Sequence, residues 1–375
     1  MRFLVTGATG FLGAHVTRAL LRRGHRVTAL VRDTRDVPAA ARFRRIADWL
    51  GLLPEEIARA TVAAGDVAEE RFGLGVADWR ALVAGTEEIV HCAASTSFAE
   101  RRRTELERVN VGGTAVALAC AAEGGTTSFH LLSSAYAAGS VAAADGMWRE
   151  QSAFANPYEE TKHRSEALAI GTCRDAGISL SVYRPAIVCG DSRTGRSLRF
   201  NALYHPVRTL LFLRDLPRAA AIGVETLPGG GSRIPLRLEA HPEAALNLVP
   251  ADHFERAFLA LLEGAPSGGF FPIVAREDIP LERVIGFVRR RWQIEGLEAA
   301  SAASFAQRPR TTLEVLFQGF VAPYLPYLTG RRRFTQGAAG PILARGGVPD
   351  TPVTEEVFGR MMRYAEEVAW GRGLG

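Results

Sequence analysis

The amino-acid sequence predicts an α/β protein built on a doubly wound parallel sheet, with a smaller, mostly helical C-terminal lobe. Over the first 195 residues, short apolar runs alternate with stretches of helical period, the order typical of parallel strands joined by crossover helices. Beyond residue 195 this alternation loosens, although the segment 246–275 keeps a pattern of strand and helix. We therefore expect a sheet domain over 1–195 and a mixed lobe over 196–375 that returns in part to the sheet.

The first predicted unit is a strand, a glycine turn and a helix. The apolar run Arg2–Val5 precedes three glycines at a spacing of three, and Ala14–Arg23 has helical period before Gly24. Glycines at such a turn let the backbone approach a pyrophosphate, which then lies against the unpaired N–H groups of the helix start. The spacing is G-x-x-G-x-x-G, which differs from the common G-x-G-x-x-G of Rossmann dehydrogenases. We assign to this dinucleotide site Thr6, Gly7, Thr9, Gly10, Phe11, Leu12 and Gly13.

The composition excludes several classes of protein. The chain has 375 residues, of which 47% are hydrophobic and 23% charged, and no apolar run long enough to span a membrane. It starts directly on a strand, so we expect no signal peptide, and its 4 separated cysteines predict thiols in a reducing cytoplasm, without disulfide or metal site. The net charge of +5 suits an anionic ligand, but no nucleic-acid-binding motif accompanies the arginines.

The second predicted strand, His25–Val31, indicates which dinucleotide binds. In an NAD site an acidic residue near the end of this strand hydrogen-bonds the ribose 2′-hydroxyl. This sequence instead has Arg32, whose guanidinium can hold a 2′-phosphate, and Arg42 follows in the next helix. NADP(H) is therefore the expected cofactor. Asp33 is the alternative, as a ribose partner displaced by one residue.

The ends of the third and fourth predicted strands complete the expected cofactor site. Asp66 can hydrogen-bond the adenine amino group, with Val67 beside it, although an Asp at this place also forms turns. Ala93 and Ala94 end the fourth strand, and their small side chains leave room for the cofactor backbone. His91, in the same strand, is more typical of a packed structural histidine than of a catalytic base.

Hydroxyl, phenol and ammonium groups are expected at the edge of the sheet where ligands bind. Ser133 and Ser134 end the fifth strand, and Tyr158 and Lys162 share one face at the start of a helix. We expect the ammonium to lower the pKa of the Tyr158 phenol, so that it can give a proton to a carbonyl as hydride arrives. Asn110 either caps a helix or holds a water or carbonyl near this group.

The next predicted strand, Ser179–Val188, leads into a glycine-containing loop on the expected substrate side. At the end of this strand we assign Arg184, Pro185 and Ile187 to the cofactor site. Beyond it we expect helices over 203–216, 254–262 and 280–292 and strands over 246–252 and 270–275. The stretch Leu313–Gly319, LEVLFQG, matches a viral protease recognition site used to remove tags, which we interpret as a chance match in an amphipathic helix.

Together, the glycine turn, Ser134 and the Tyr158-x-x-x-Lys162 pair resemble the extended short-chain dehydrogenase/reductases over about the first 200 residues. This resemblance implies that Tyr158 is the proton donor and that Lys162 holds the nicotinamide ribose and tunes Tyr158. It also implies that Ser134 binds the substrate carbonyl and that Asn110 completes a proton relay. Ser133 is the neighbouring possibility for the serine.

The segments PYEETK, YRPAIVCGDSRTG and NLVPAD are similar to the branch of thioester reductase domains and fatty acyl-CoA reductases. This similarity implies reduction of an acyl thioester to an aldehyde or alcohol, with the acyl group on CoA or on a carrier protein. Three alternatives remain: reduction of a free aldehyde or ketone, epimerisation or dehydration of a nucleotide sugar, and a non-catalytic cofactor sensor. An oligomer is compatible with all of them.

Overall fold

The computed structural model of the chain describes residues 1–139, 147–265 and 268–372, together with the backbone of 143–144. The strands, in chain order, are β1 Arg2–Thr6, β2 Arg26–Val31, β3 Ala60–Ala64, β4 Glu88–His91, β5 Ser128–Leu132, β6 Ala143–Ala144, β7 Ser179–Pro185, β8 Ile187–Cys189, β9 Glu225–Thr226, β10 Ser232–Glu239, β11 Ala245–Leu246, β12 Leu248–Pro250, β13 Gly269–Ile273, β14 Ile279–Pro280, β15 Ile294–Ala300 and β16 Arg333–Phe334.

The α-helices are α1 Phe11–Arg22, α2 Ala39–Leu50, α3 Pro54–Ile57, α4 Val76–Ala84, α5 Arg103–Leu106, α6 Gly113–Gly124, α7 Pro157–Ala176, α8 Tyr204–Arg214, α9 Ala251–Gly264, α10 Leu281–Trp292, α11 Ala302–Gln307, α12 Thr312–Val321, α13 Leu325–Thr329, α14 Ala339–Arg345 and α15 Glu355–Glu367. A π-helix, Glu107–Gly112, lies between α5 and α6. Short 3-10 turns occur at Glu70–Gly73, Glu100–Arg102, Ala135–Ala138, Ala219–Ile222, Ala322–Tyr324 and Ala369–Gly371. In the described ranges, no helix is both long and apolar enough to cross a membrane.

Within the described residues, seven strands form one parallel sheet in the order β13-β7-β5-β4-β1-β2-β3. Strand β1 pairs in parallel with β2 on one side and with β4 on the other. The order runs outward in both directions from β1, which confirms the predicted doubly wound sheet. Because the strands run in the same direction, Gly7, Ala93 and Ser133, which follow β1, β4 and β5, belong to the same edge of the sheet.

The strands of this sheet are apolar without alternation because helices cover both faces of a parallel sheet. Leu4 in β1, Ile89 in β4, Phe129 in β5 and Val182 in β7 are all fully buried. Together with residues of α6 such as Leu118 they belong to one apolar cluster. This core holds the strand ends, and therefore the loops that follow them, in fixed positions.

The chain forms two compact units, each assembled from three stretches. The first consists of Met1–Ala186, His253–Val274 and Thr335–Pro349, and the second of Ile187–Asp252, Ala275–Phe334 and Asp350–Gly375. The predicted boundary lies after residue 195, whereas the units change after Ala186. The predicted strand 179–188 is divided there, because the Ala186 N–H donates to Ile273 O and the Ile187 N–H donates to Asn247 O.

The second unit is built around a small sheet in which β10 pairs in parallel with β15 and antiparallel with β9. Its apolar core includes residues of α8, α10, α12 and α15. Arg237 of β10 donates through Nε to the Glu314 carboxylate of α12 at 2.7 Å, and both side chains are almost completely buried. This ion pair connects the sheet of the second unit with one of its covering helices.

Candidate active site

The glycine turn after β1 brings main-chain atoms closer than side chains would allow. Gly7 has φ +68°, and a Cβ there would lie 2.7 Å from Ala93 N. A Cβ on Gly13 would lie 2.2 Å from Gly7 O. The Gly10 N–H donates to Gly7 O at 2.8 Å and closes the turn. The close approaches at Gly7 and Gly13 require glycine, so the predicted glycine pattern has a geometric cause at these two positions.

Helix α1 begins directly at this turn, with Gly10 at its N-cap and no acidic residue in its first turn. The first N–H groups of a helix, here those of Phe11, Leu12 and Gly13, have no intrahelical acceptor and attract anions. Thr6 supports the turn, because its hydroxyl accepts from Ala93 N at 3.2 Å. This cradle fits the pyrophosphate of a nicotinamide dinucleotide, whose backbone needs close approach and N–H donors. Thr9 lies within the same turn.

Two arginines and one aspartate lie near the end of β2, and the aspartate, Asp33, is hydrogen-bonded to the protein main chain. The Asp33 carboxylate accepts from Ala39 N at 2.7 Å, close to the start of α2. Arg32 is largely exposed, and its Nη1 lies 3.5 Å from the Asp66 carboxylate. Arg42 donates to Arg32 O at 2.6 Å. The structure therefore brings Arg32, Arg42 and Asp66 together.

Asp66 and Val67 occupy the turn after β3. The second carboxylate oxygen of Asp66 accepts from Ala68 N at 3.0 Å, so Asp66 also has the turn-forming role that its residue type allows. Val67 is buried, and its Cγ2 would lie 3.1 Å from a Cβ on Gly113, so it packs closely on the start of α6. Whether these two residues contact an adenine stays a prediction.

Ser134 and Tyr158 form the hydroxyl pair of the site. The Ser134 hydroxyl accepts from Tyr136 N at 3.2 Å and is hydrogen-bonded to the Tyr158 phenol. Burial raises the pKa of Tyr158 to about 12, and the hydrogen bond to Ser134 offsets only part of this shift. The expectation of a lowered Tyr158 pKa is therefore wrong for this structure, because desolvation outweighs any effect of Lys162.

Lys162 lies one helical turn after Tyr158 and is almost completely buried. Its Nζ donates to Leu132 O, at the end of β5, at 2.6 Å. Burial lowers the pKa of Lys162 to about 8, against the opposing effect of the Glu166 carboxylate. The ammonium is thus anchored at the edge of the sheet, and its pKa of about 8 lies well below the usual value for lysine.

The two adjacent serines have different partners. The Ser133 hydroxyl donates to the Glu166 carboxylate at 2.5 Å. Glu166 also accepts from Arg184, through Nε at 2.9 Å and through Nη2 at 2.6 Å. Ser133 is therefore engaged in a buried network, whereas Ser134 faces Tyr158. The Arg184 guanidinium also donates through Nη1 to Met147 O at 3.2 Å, and a contact of Arg184 with a cofactor stays a prediction.

The other residues assigned to the cofactor site differ in their surroundings. Pro185 ends β7 in the first unit, and Ile187 begins β8 in the second. Ala93 and Ala94 follow β4, and the Ala93 N–H, which donates to Thr6 Oγ1, lies directly beside Gly7.

His91 is buried between the hydroxyls of Thr6 and Thr114, and its pKa is lowered to about 3 by burial and by Lys162. A neutral, packed histidine agrees with its predicted structural role.

Asn110 lies in the π-helix, a feature common at functional sites. Its Oδ1 accepts from Ser95 N at 2.8 Å, and its Nδ2 donates to Ser95 O at 3.1 Å and to Thr161 Oγ1 at 3.0 Å. The amide thus joins the segment after β4 to the helix that carries Tyr158. Its role in a proton relay stays a prediction.

Sequence reasoning missed three residues around this group. Glu166 and Thr161 lie on α7, within one turn of Lys162, and a search for buried polar residues on its inner face would have found them. The ring of Phe98 packs against that of Tyr158, with centroids 5.8 Å apart. No local pattern marks Phe98. Among the described residues, no three His, Cys, Asp or Glu side chains gather as metal ligands would.

A family model described as male sterility protein matches residues 5–257. The L-2-aminoadipate reductase large subunit of Penicillium chrysogenum is 28% identical over 286 residues, which are 71% of this chain and 18% of that protein. The glycine betaine reductase of Emericella nidulans is 30% identical over 216 residues, which are 53% of this chain and 17% of that protein. The chain therefore spans less than a fifth of the length of these relatives.

Solved structures share the fold. The terminal R domain of the myxalamid PKS-NRPS biosynthetic pathway has a TM-score of 0.76 at 22% identity and covers 98% of this chain and 91% of that one. A thiolation-reductase di-domain from an archaeal non-ribosomal peptide synthetase has a TM-score of 0.73 at 15% identity. The match covers 99% of this chain and 76% of that one. The structure of UDP-glucuronic acid 4-epimerase of Bacillus cereus with UDP-glucuronic acid and NAD has a TM-score of 0.65 at 16% identity. The match covers 98% of this chain and 100% of that one.

Proposed function

The chain belongs to the male sterility protein family. From this premise we propose that it is an NAD(P)-dependent oxidoreductase of the extended short-chain dehydrogenase/reductase type, and that it reduces acyl thioesters with NADPH. The acyl group is carried by CoA or by a carrier protein, and the product is an aldehyde or an alcohol. The observation that carries the proposal is the hydrogen-bonded pair Ser134–Tyr158 beside the anchored Lys162. The L-2-aminoadipate reductase large subunit among the similar proteins supports the choice of substrate.

The hydroxyls of Ser134 and Tyr158 suit a carbonyl that gains negative charge. When bound at the glycine cradle, the cofactor supplies a hydride to the carbonyl carbon. Ser134 and Tyr158 donate hydrogen bonds to the carbonyl oxygen and stabilise the charge that develops there. Tyr158 then gives up its proton, and the Lys162 ammonium stabilises the phenolate that remains. Collapse of the hemithioacetal would release a thiol and an aldehyde, and a second molecule of NADPH would be needed to reduce the aldehyde to the alcohol.

The end of β2 supports NADPH over NADH. Arg32 is exposed, Arg42 contacts its main chain, and Asp33 is already bound to Ala39 N. Two guanidinium groups favour a 2′-phosphate, and one oxygen of the Asp33 carboxylate already accepts from the start of α2. The Asp66 carboxylate, 3.5 Å from Arg32 Nη1, offsets part of this positive charge.

Consumption of NADPH against a panel of substrates tests the proposal. The panel contains medium- and long-chain acyl-CoAs, the matching free aldehydes and a nucleotide sugar. We expect oxidation of NADPH that depends on the thioester and releases free thiol, and no turnover by Tyr158→Phe. Activity on aldehydes alone would contradict thioester reduction and indicate a carbonyl reductase. Conversion of the nucleotide sugar without net oxidation of cofactor would indicate an epimerase. The likeness to a solved epimerase supports a common fold and does not by itself favour this activity.

A further inference from the structure

The segment after β4, residues 93–106, connects the glycine turn with the reacting pair. Close to its start, the main-chain N–H and C=O of Ser95 are both hydrogen-bonded to the side-chain amide of Asn110. Farther along, the ring of Phe98 packs against that of Tyr158, with centroids 5.8 Å apart and planes inclined by 44°. The segment therefore adds one aromatic side chain directly beside the phenol.

Phe98 offers an apolar surface at this place. The side chains of Phe98 and Tyr158 are both half-buried, so part of each ring stays exposed. The nearby hydroxyls have partners within the segment: Ser97 Oγ accepts from a main-chain N–H at 3.3 Å, and Ser95 Oγ lies 3.5 Å from a carboxylate oxygen. The surface that the segment adds next to the phenol is thus apolar.

Arg103 fixes the far end of the segment to the helix that carries Tyr158. Its Nη1 donates to the Glu160 carboxylate of α7 at 2.6 Å, while Nε and Nη2 donate to Glu100 at 2.5 Å and 3.2 Å. Glu160 comes two residues after Tyr158, and residues two apart point to different sides of a helix. The segment therefore passes around the first turn of α7, with Phe98 on one side and Arg103 on another.

We propose that Phe98 is a specificity-determining residue that disfavours polar substituents on the carbons next to the reacting carbonyl, and that Arg103 is the positioning residue that holds its ring on Tyr158. This inference rests on the proposed function, in which the Tyr158 phenol binds the carbonyl oxygen. The first carbons of the acyl chain then lie close to the neighbouring ring. A hydroxyl or amino group placed against that ring loses hydrogen bonds to water without gaining a partner.

The test compares two thioesters that differ by one hydroxyl. Decanoyl-CoA and racemic 3-hydroxydecanoyl-CoA have the same length, and the hydroxyl lies two carbons from the carbonyl. The measurement is the ratio of their kcat/KM values, followed as release of free CoA with NADPH. A ratio within one enzyme does not depend on how much of that enzyme is folded. For the wild type we expect a preference of about tenfold or more for decanoyl-CoA, the scale on which an apolar pocket rejects an added hydroxyl.

Variants of Phe98 test the contact itself. Phe98→Asn should bring the ratio close to unity, because the amide can hydrogen-bond the added hydroxyl. Phe98→Leu keeps an apolar side chain and should preserve the preference. Val76→Asn is the matched control, because it places the same side chain at a position that is 49% exposed on α4 of the first unit. A wild type without preference, or a wild-type ratio in Phe98→Asn, would overturn the role of Phe98.

Variants of Arg103 test the positioning. Arg103→Met should lower the ratio about threefold, a modest change because an ion pair at a partly exposed position holds its partners weakly. Arg103→Lys should restore most of the preference, since an ammonium can still pair with Glu160. Arg102→Met is the control, because Arg102 pairs with Glu105 of the same segment, and it should keep the wild-type ratio. An unchanged ratio in Arg103→Met would overturn the positioning role. If Phe98→Asn does not fold, the comparison of Arg103→Met with Arg102→Met still tests the contact.

Failure of the proposed function has a different signature. If the wild type releases CoA from neither thioester, the same ratio is measured with decanal and 3-hydroxydecanal, because the role of Phe98 concerns any carbonyl bound by Tyr158. A preference for decanal that Phe98→Asn abolishes would support this role while thioester reduction fails. Equal use of the two aldehydes, or turnover of neither, would overturn the inference as well.

Discussion

Ser133 donates a hydrogen bond of 2.5 Å to Glu166, while its neighbour Ser134 is hydrogen-bonded to Tyr158. The two hydroxyls at the end of β5 are therefore divided between a buried ion-pair network and the reacting pair. Glu166 holds Arg184 with both carboxylate oxygens, and both side chains are almost fully buried. Ser133 therefore belongs to the buried network of Glu166 and Arg184, and Ser134 does not.

Glu166→Gln should destabilise the first unit and shift its pH dependence. Removing one member of a buried ion pair leaves Arg184 uncompensated, which costs about 3 kcal/mol or more of the free energy of unfolding. Glu166 also raises the pKa of Lys162, so its loss lowers that pKa further. Urea unfolding measures the first effect and the alkaline limb of kcat/KM the second. Glu263→Gln, which loses an exposed pair with Arg23, is the control and should change neither.

Activity of the wild type should fall as the pH rises through about 8. Lys162 must be protonated to stabilise the Tyr158 phenolate, and its pKa is lowered to about 8 by burial. The phenol itself, with a pKa raised to about 12, stays protonated over the same range. A profile of kcat/KM against pH reports these groups in the free enzyme. A flat profile up to pH of about 10, the reference range for tyrosine, would contradict the role given to Lys162.

Patterns along the chain could predict the parts of the site that depend on local spacing. The glycines at 7, 10 and 13 and the pair Tyr158 and Lys162 follow from the turn and the helical period. The cap formed by Asp33 and the link from Asn110 to Thr161 could not be predicted, because their partners depend on three-dimensional packing. The direction of the Tyr158 pKa shift was wrong for the same reason, since burial of a side chain has no local signature.

Gly13→Ala should abolish binding of the dinucleotide. A Cβ there would lie 2.2 Å from Gly7 O, so the turn and the start of α1 must separate and the cradle opens. Fluorescence titration with NADPH measures the loss, and circular dichroism shows whether the fold persists. Gly171→Ala is the control, because a Cβ there meets nothing within 4 Å in the middle of α7. That change should stabilise the helix by about 1 kcal/mol and leave binding intact; equal binding by both variants would contradict the cradle.

Arg32→Ala should weaken binding of NADPH about tenfold while leaving NADH almost unchanged, because a charge-assisted contact to the 2′-phosphate is lost. The ratio of the two dissociation constants is the measurement. Arg26→Ala, at the opposite end of β2, is the control and should leave the ratio at its wild-type value. An equal loss for NADPH and NADH would show that Arg32 does not distinguish the cofactors and that the NADP assignment lacks its main support.

The protease recognition sequence at Leu313–Gly319 should resist cleavage in the folded chain. It forms most of α12, and Leu313, Glu314 and Phe317 are buried, whereas a protease needs an extended, accessible segment. Cleavage therefore reports opening of the second unit. Burial raises the pKa of Glu314, but hydrogen bonds from Arg237 lower it to about 2, so without Arg237 a charged carboxylate stays buried and unpaired.

Arg237→Met leaves the recognition sequence intact and should accelerate cleavage by the cognate viral protease, followed as loss of the intact chain on a gel. Arg310→Met is the control, because Arg310 pairs with Glu239 at a more exposed position, and it should be cut at the wild-type rate. Rapid cleavage of the wild type would show that α12 opens readily and that the ion pair does not hold it. Equal rates for Arg237→Met and the wild type would show that the apolar contacts of Leu313 and Phe317 alone keep the helix closed.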